Sequence, residues 1–198
     1  MSTLSKKKIA ITGTIGSGKS QVSKYLIELG YPVLDLDKVN ASLLEKGNRG
    51  YEQLCAAKLV QLDAQGQIDK KELAHRLFSD PSVKQQVESI LHSLLYQECL
   101  EWMDCQPSSL VFVEVPLLFE GNFQDAFDRI WCVVTSEKIA LDRLMNYRGF
   151  TKEDALARMA SQMPVKEKME RSHVVLYNED SLENLNVQID MALEKEKK

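Results

Sequence analysis

A glycine-rich segment between a predicted strand and a predicted helix is the feature that most constrains this chain. Lys8–Thr12 is a short β-branched run that predicts a buried strand, and apolar residues recur at helical spacing over Lys19–Leu29. The segment between them is Gly13-Thr14-Ile15-Gly16-Ser17-Gly18-Lys19-Ser20. Its glycines leave no Cβ to obstruct the backbone, so its amides can curl inward and form a nest for an anion. The segment therefore predicts an anion site at a strand-to-helix turn.

The octapeptide fits the pattern G-x-x-x-x-G-K-[ST] of a P-loop, which binds nucleotide phosphates. Lys19 is expected to reach the β- and γ-phosphates, and the Ser20 hydroxyl is expected to bind Mg²⁺. The amides of Ser20 and Gln21 add the positive end of the helix. A dinucleotide-binding loop is the nearest alternative, but it requires G-x-G-x-x-G and has no use for a lysine after its last glycine. The predicted ATP-binding residues are Gly13, Thr14, Ile15, Gly16, Ser17, Gly18, Lys19, Ser20 and Gln21.

Strand-like and helix-like segments alternate along the rest of the chain. Besides Lys8–Thr12, the predicted strands are Tyr31–Asp35, Leu110–Val115, Ile130–Val134 and Val174–Leu176. The stretch from Asp37 to Met103 is predicted to be mostly helical, with a clear helix start at Ser79-Asp80-Pro81, and further helices are predicted to open at Ser136, Thr151 and Ser181. Strands that alternate with helices indicate a parallel sheet covered on both faces. The predicted fold is therefore an α/β three-layer sandwich around a five-stranded parallel sheet.

The long helical stretch is too large for a simple crossover between two strands, so it predicts a helical insertion on the substrate side. A chain of 198 residues is expected to form one domain that carries this insertion. The predicted parts are a core of residues 1–37, 107–137 and 172–198, a helical insertion of residues 38–106, and a helical lid of residues 138–171.

Charge and cysteine content limit the partners and the compartment. The 25 basic and 29 acidic side chains give a net charge of −4, which argues against a nucleic-acid partner. No apolar run approaches the roughly 18 residues of a membrane span, and only Ile9–Ile11 follows Lys6–Lys8, which is too short for an export signal. The four cysteines, which form no CxxC pair and are expected to be buried free thiols, are Cys55, Cys99, Cys105 and Cys132. These features predict a cytoplasmic protein without membrane contact.

Three carboxylates fall at the expected carboxyl edge of the sheet, where open parallel sheets bind ligands. Asp35 and Asp37 come at and just past the end of the second strand, and either is a candidate base for a hydroxyl acceptor while the other holds a Mg²⁺-bound water. A helix N-cap is the structural alternative for Asp37. Glu114 ends the apolar run Leu110–Val113 at a Walker-B position and is expected to support Mg²⁺ through water, with a solvent-facing strand end as its alternative.

Three arginines follow the fourth strand on two predicted helices. Arg143 and Arg148 precede Gly149, and Arg158 follows it. Arginines beside a glycine hinge are typical of a lid that closes over phosphates and stabilises the transferring group. Taken singly, each arginine is also explained as part of a solvated helix face.

Motifs spread over nearly the whole chain match those of one kinase family. Gly13–Ser20 is similar to G-G-I-G-S-G-K-S, Val33–Asp37 to V-I-D-A-D, and Val113–Glu120 to L-D-I-P-L-L-F-E. Further matches are Gly66–Leu73 with Leu77-Phe78, Ile90–His92, the spacing from Arg158 to Gln162, and Val174–Asn178. With these motifs the chain resembles the dephospho-CoA kinase family.

Some positions depart from that family's pattern. Ala41 stands where the family has an arginine, and Ser93 follows His92 where the family has a proline. Lys38 or Arg49 is a candidate to replace the missing arginine. The other departures are Thr14 for glycine, Gln21 for threonine, and Ser172-His173 for A-D. The sequence therefore indicates a divergent but working member.

The resemblance implies transfer of the γ-phosphate of ATP to the ribose 3′-hydroxyl of dephospho-CoA, with Mg²⁺ as cofactor. The implied catalytic residues are Asp37 as base, Lys19 as phosphate clamp, and Arg143 or Arg148 from the lid. The implied acceptor-binding residues are Asp37, Lys70, His92, Pro116 and Leu117, and the implied Mg²⁺ residues are Ser20 with Asp35 and Glu114 through water. A buried core histidine is the alternative for His92, since apolar residues surround it in the sequence.

Two other functions stay open at this point. Another small-molecule P-loop kinase, such as a nucleoside monophosphate kinase, would use the same chemistry on a different acceptor, and only the insertion and the Pro116–Glu120 segment argue against it. A non-catalytic ATP-binding regulator would suit Ala41 and Ser93, but the retained Asp37 argues against it. The expected partners are ATP and dephospho-CoA, and the chain is expected to be a monomer or a small homo-oligomer.

Overall fold

The computed structural model of the chain describes residues 6–197. Residues 1–5 and 198, at the two ends of the predicted core, lie outside the described residues. The chain divides into two compact units: a sheet unit, made of the residues up to Asp35 and from Cys105 onward, and a helical unit, Leu36–Asp104. The predicted lid, residues 138–171, falls in the sheet unit. The functions assigned to the insertion and the lid stay predictions.

A five-stranded parallel sheet forms the centre of the sheet unit. Its strands are β1 (Lys7–Gly13), β2 (Val33–Asp35), β3 (Leu110–Glu114), β4 (Arg129–Val134) and β5 (Val174–Tyr177), in the order β2-β3-β1-β4-β5. Every neighbouring pair is parallel. The apolar runs of β1, β3 and β4 are buried on both faces, as a parallel sheet between helical layers requires. The predicted α/β fold with a five-stranded parallel sheet is confirmed.

Helices connect and cover the strands. Within residues 6–197 they are α1 (Lys19–Glu28), α2 (Leu36–Leu43), α3 (Arg49–Ala56), α4 (Lys70–Ser79), α5 (Pro81–Cys105), α6 (Glu137–Arg148), α7 (Lys152–Ala160), α8 (Val165–Glu170) and α9 (Leu182–Glu196). The predicted starts of α5, α6, α7 and α9 are confirmed, because the side chains of Asp80, Ser136, Thr151 and Ser181 each accept a hydrogen bond from a first-turn amide. The short helix α8 was not predicted. Across this part of the chain, no helix has both the length and the apolar character needed to cross a membrane.

One hydrophobic core fixes α1 and α9 against the sheet. Phe112 of β3 and Trp131 of β4 are fully buried at its centre, with their ring centroids 5.3 Å apart in an edge-to-face arrangement. Buried residues of α1 and α9, such as Leu26 and Ile189, belong to the same cluster. Because this core anchors α1, it also anchors the loop that joins β1 to α1.

The helical unit has a core of its own. Leu54 of α3, Leu73 of α4 and Val87 of α5 are buried together in one cluster. The α4 helix is held further by Arg76, whose Nη1 donates to the carbonyl oxygen of Leu59 at 3.0 Å. The predicted helical stretch therefore forms a packed unit rather than a single crossover helix.

All four cysteines are free thiols, as expected, but they differ in exposure. Cys99 and Cys132 are buried and Cys55 is half-buried, whereas Cys105 is exposed. The prediction of burial is therefore wrong for Cys105, which is the last residue of α5. Burial raises the pKa of the Cys132 thiol to about 11, so this thiol is protonated at neutral pH.

Candidate active site

The loop between β1 and α1 has a backbone that glycine adopts far more readily than other residues. Gly13, Gly16 and Gly18 have φ values of 147°, 80° and 93°. A Cβ on Gly13 would collide with the carbonyl oxygen of Val133, and a Cβ on Gly18 would collide with the side-chain amide of Asn178. The loop is therefore pressed against β4 and against the residue that follows β5, and only glycine permits both approaches.

The Lys19 ammonium is folded over this loop. Its Nζ donates to the carbonyl oxygens of Gly13 at 3.1 Å and Thr14 at 3.0 Å, and the residue is only 8% exposed. These two hydrogen bonds, to the first peptide groups of the loop, offset the free-energy cost of desolvating the ammonium. The ammonium is therefore held where an anion bound in the loop would replace the carbonyl oxygens as its partner.

Arg143 and Asn178 support the loop from the other side. Arg143 Nη1 donates to the carbonyl oxygens of Gly16 and Ser17, both at 3.3 Å, and its Nη2 donates to the carbonyl oxygen of Asn178 at 3.1 Å. Asn178 Nδ2 donates to the carbonyl oxygen of Ser17 at 2.8 Å. The guanidinium predicted for the lid thus contacts the loop carbonyls. Sequence analysis did not assign Asn178 to the site, although its place directly after a strand at the carboxyl edge was a signal.

A cavity of about 350 Å³ opens beside the loop. It is lined by Gly16, Gly18, Ser20, Gln21, Arg143, Tyr147, Arg148, Asn178 and Leu182. The structure therefore brings both predicted arginines to the same cavity as the loop. Tyr147 and Leu182, which the sequence analysis did not single out, add an aromatic ring and an apolar side chain. Such a mixed lining is typical of small-molecule sites.

Two of the three predicted carboxylates are neighbours in the sheet. Asp35 and Glu114 lie opposite each other in the register of β2 and β3, at the carboxyl end of both strands. Ser23, one turn beyond Ser20 on α1, donates its hydroxyl to Glu114 Oε2 at 2.6 Å. This hydrogen bond orients Glu114, so the alternative of a freely solvated strand end is wrong.

Asp37 lies in the helical unit and is exposed. Helix α2 begins at Leu36, so Asp37 is in its first turn and does not precede it. The N-cap interpretation is therefore wrong for Asp37, and its role as base stays a prediction. Of the predicted acceptor residues in the same unit, Lys70 is exposed at the first position of α4 and His92 is exposed on α5. The alternative of a buried core histidine is therefore wrong for His92.

The predicted acceptor segment at Pro116 contacts an ion pair whose lysine is fully buried. Lys168 of α8 is fully buried; its Nζ lies 2.8 Å from Glu120 Oε1 and 3.4 Å from the carbonyl oxygen of Pro116. Burial raises the pKa of Glu120, but the hydrogen bonds from Lys168 and from the Met163 amide outweigh it and bring the pKa below its ordinary value. Leu117, which lies between Pro116 and Glu120 in the chain, is exposed. Sequence analysis missed Lys168, because a lysine in a charged stretch carries no signal of burial.

The Lys168–Glu120 pair generates a stability prediction. Glu120→Gln leaves the buried ammonium without its counter-charge, so we expect the free energy of unfolding at pH 7 to fall by about 3 kcal/mol, as measured by urea denaturation. The matched control is Glu170→Gln, which breaks the exposed pair with Lys166 and should change stability by less than about 0.5 kcal/mol.

The pH dependence of the same pair has a definite sign. Because the pKa of Glu120 is lower in the folded than in the unfolded chain, its contribution is present above the unfolded pKa and is lost as the pH falls through the folded pKa. The stability difference between the native chain and Glu120→Gln should therefore shrink on acidification below about pH 5. A difference that stays constant down to pH 3 would show that the ion pair contributes nothing.

Comparisons with known proteins give the family. A family model described as dephospho-CoA kinase matches residues 7–184. A dephospho-CoA kinase from Streptococcus pyogenes serotype M3 is 38% identical over 188 residues, which are 93% of this chain and 95% of that protein. Among solved structures, TT1252 from Thermus thermophilus has a TM-score of 0.84 and 34% identity, and the match covers 96% of this chain and 98% of that one. A dephospho-CoA kinase from Campylobacter jejuni, with 23% identity and 96% of each chain covered, shares the fold with a TM-score of 0.71. The chain belongs to the dephospho-CoA kinase family.

Proposed function

We propose that this chain transfers the γ-phosphate of ATP to the ribose 3′-hydroxyl of dephospho-CoA, giving coenzyme A and ADP. Family membership supports the reaction, since the relatives that match most of the chain carry the name dephospho-CoA kinase. The observation that carries the proposal in the structure is the glycine loop closed beneath the Lys19 ammonium. That arrangement suits the phosphates of a nucleoside triphosphate.

The chemistry follows from the positions of the loop side chains. Lys19 would exchange the carbonyl oxygens of Gly13 and Thr14 for β- and γ-phosphate oxygens. Arg143, which donates hydrogen bonds to the loop carbonyls, would hold positive charge beside the phosphates and stabilise the conformation of the loop. The cavity rimmed by Tyr147 and Arg148 would take the nucleoside half of ATP. The 3′-oxygen of the acceptor then attacks the γ-phosphorus, the bond to the β-phosphate oxygen breaks, and Asp37 takes the hydroxyl proton.

Mg²⁺ is part of the same proposal, with Ser20 as its direct ligand and Asp35 and Glu114 binding through water. A hydroxyl and two carboxylates fit a hard cation that prefers oxygen. Within residues 6–197, no three or more His, Cys, Asp or Glu side chains cluster as a metal site. This fits Mg²⁺ that enters with nucleotide phosphates better than it fits a site built wholly from protein. When bound, the ion would neutralise charge on the β- and γ-phosphate oxygens.

Binding of the acceptor is assigned to Asp37, Lys70, His92, Pro116 and Leu117. The exposed Lys70 ammonium and His92 ring are able to contact an anionic ligand such as dephospho-CoA. Arg49 is a poor replacement for the arginine missing at Ala41, because Glu98 and Gln97 already hold its guanidinium at 3.2 and 2.9 Å. The free thiols support a location in the reducing cytoplasm.

Asp37→Asn separates a kinase from an ATP-binding regulator. Loss of the base should lower kcat with dephospho-CoA by roughly 10²- to 10⁴-fold, while the Kd for ATP stays within about twofold, as measured by ADP release and by calorimetry. Asp125→Asn, which changes an exposed aspartate outside the site, is the matched control. Undiminished turnover in Asp37→Asn would refute the assignment of the base.

Ser23→Ala tests the Mg²⁺ assignment of Glu114. Removal of the 2.6 Å hydrogen bond takes away one contact that orients the Glu114 carboxylate, so the Mg²⁺ concentration needed for half-maximal rate should rise about tenfold. Ser79→Ala, which removes an exposed hydroxyl bonded to its own helix, should leave that concentration unchanged. An unchanged Mg²⁺ dependence in Ser23→Ala would argue that Glu114 does not serve the metal.

A further inference from the structure

A glutamine distant in sequence binds the phosphate loop. Gln162 lies between α7 and α8, and its Oε1 accepts a hydrogen bond from the backbone N–H of Ile15 at 2.8 Å. The Ile15 amide belongs to the loop whose amides are predicted to form an anion nest. Its N–H is therefore already bound by a side chain of the segment between α7 and α8.

The hydrogen bond places Gln162 beside a peptide group that Lys19 also binds. Ile15 N–H and the Thr14 carbonyl belong to the same peptide group. Lys19 Nζ donates to that carbonyl at 3.0 Å, while Gln162 accepts from the amide at 2.8 Å. Because the carbonyl and the N–H of a trans peptide group point in opposite directions, Lys19 and Gln162 bind opposite sides of this group. The loop lysine reaches the β- and γ-phosphates, so Gln162 lies one peptide group away from the residue that binds the terminal phosphate.

The orientation of the Gln162 amide follows from its partner. A backbone N–H only donates, so the atom that faces Ile15 is the oxygen, and Nε2 lies on the other branch of the amide. Nε2 makes no hydrogen bond to any residue of the range 6–197, and Gln162 is partly exposed. Two N–H donors therefore stand beside the loop and are available to a ligand.

The segment that carries Gln162 is anchored to the sheet unit. The backbone N–H of Met163, the next residue, donates to Glu120 Oε1 at 2.9 Å. Glu120 in turn pairs with the fully buried Lys168 at 2.8 Å. The residue next to Gln162 is therefore anchored to an ion pair whose lysine is fully buried, which limits how far the Gln162 side chain can move from the loop.

We infer that Gln162 is a binding residue for the γ-phosphate of ATP. Its Oε1 holds the 14–15 peptide group, and its Nε2 donates to a γ-phosphoryl oxygen. A neutral hydrogen-bond donor beside the γ-phosphate favours binding of ATP over ADP, because ADP has no γ-phosphate oxygen to accept the bond. The inference rests on the proposed function only in that the loop binds ATP; it does not depend on the identity of the acceptor.

Gln162→Glu tests the inference with almost no change of shape. The carboxylate can still accept from Ile15, but it places a negative charge where Nε2 stands. We expect the Kd for ATP to rise at least about tenfold, the size of one lost hydrogen bond to a charged group, while the Kd for ADP stays within about twofold. Both constants are measured by calorimetry with Mg²⁺ and without acceptor, so the test stands even if dephospho-CoA is not the substrate.

Two further variants complete the experiment. Gln162→Met removes both polar groups without adding charge and should weaken ATP binding less than Gln162→Glu does, again with little effect on ADP. Gln188→Glu is the matched control, because Gln188 is also half-buried and also binds backbone groups, those of Tyr177, but lies on α9 outside the loop contacts. Equal weakening of ATP and ADP in Gln162→Glu would mean that Gln162 only braces the loop, and this outcome would overturn the inference. Unchanged affinity for both nucleotides would overturn it as well.

Discussion

The close approach of the glycine loop to its support is the constraint on which the rest of the site depends. Gly13 lies against a carbonyl of β4, and Gly18 lies against Asn178 at the end of β5. These contacts exist because β1 is flanked by β4 in a parallel sheet, whose carboxyl ends meet at one edge. The same sheet order brings Asp35 and Glu114 side by side on the other flank of β1. The sheet that buries the apolar strands therefore also positions the loop, its lysine and the two carboxylates.

The fold was predictable from sequence because its signals are local. Apolar runs such as Leu110–Val113 and Ile130–Val134 mark buried strands, and capping residues such as Asp80 and Ser136 mark helix starts. The loop was predictable for the same reason, since its glycines and Lys19 follow one another in the chain. By contrast, Asn178, Lys168 and the cavity lining depend on contacts between distant segments. No periodicity or spacing encodes such contacts, so sequence analysis found Asn178 only as part of a motif and missed the burial of Lys168.

The charged side chains on and near the loop fall into two sets. Lys19 and Arg143 bring positive charge to the loop, where each donates to loop carbonyl oxygens. Glu120 and Lys168, the strongly coupled pair, neutralise each other and serve to anchor the chain. This division explains how a chain with a net charge of −4 presents a site that suits polyphosphates.

The most direct test of the account is the choice of acceptor. ADP release from Mg²⁺–ATP would be measured with dephospho-CoA, AMP and UMP as separate acceptors, and the product would be identified by its phosphorylation site. The account predicts that only dephospho-CoA stimulates release and that the product carries the new phosphate on the ribose 3′-oxygen. Stimulation by AMP or UMP alone would contradict the account and indicate a nucleoside monophosphate kinase. Bound ATP with no stimulation by any acceptor would contradict it too and indicate a regulator.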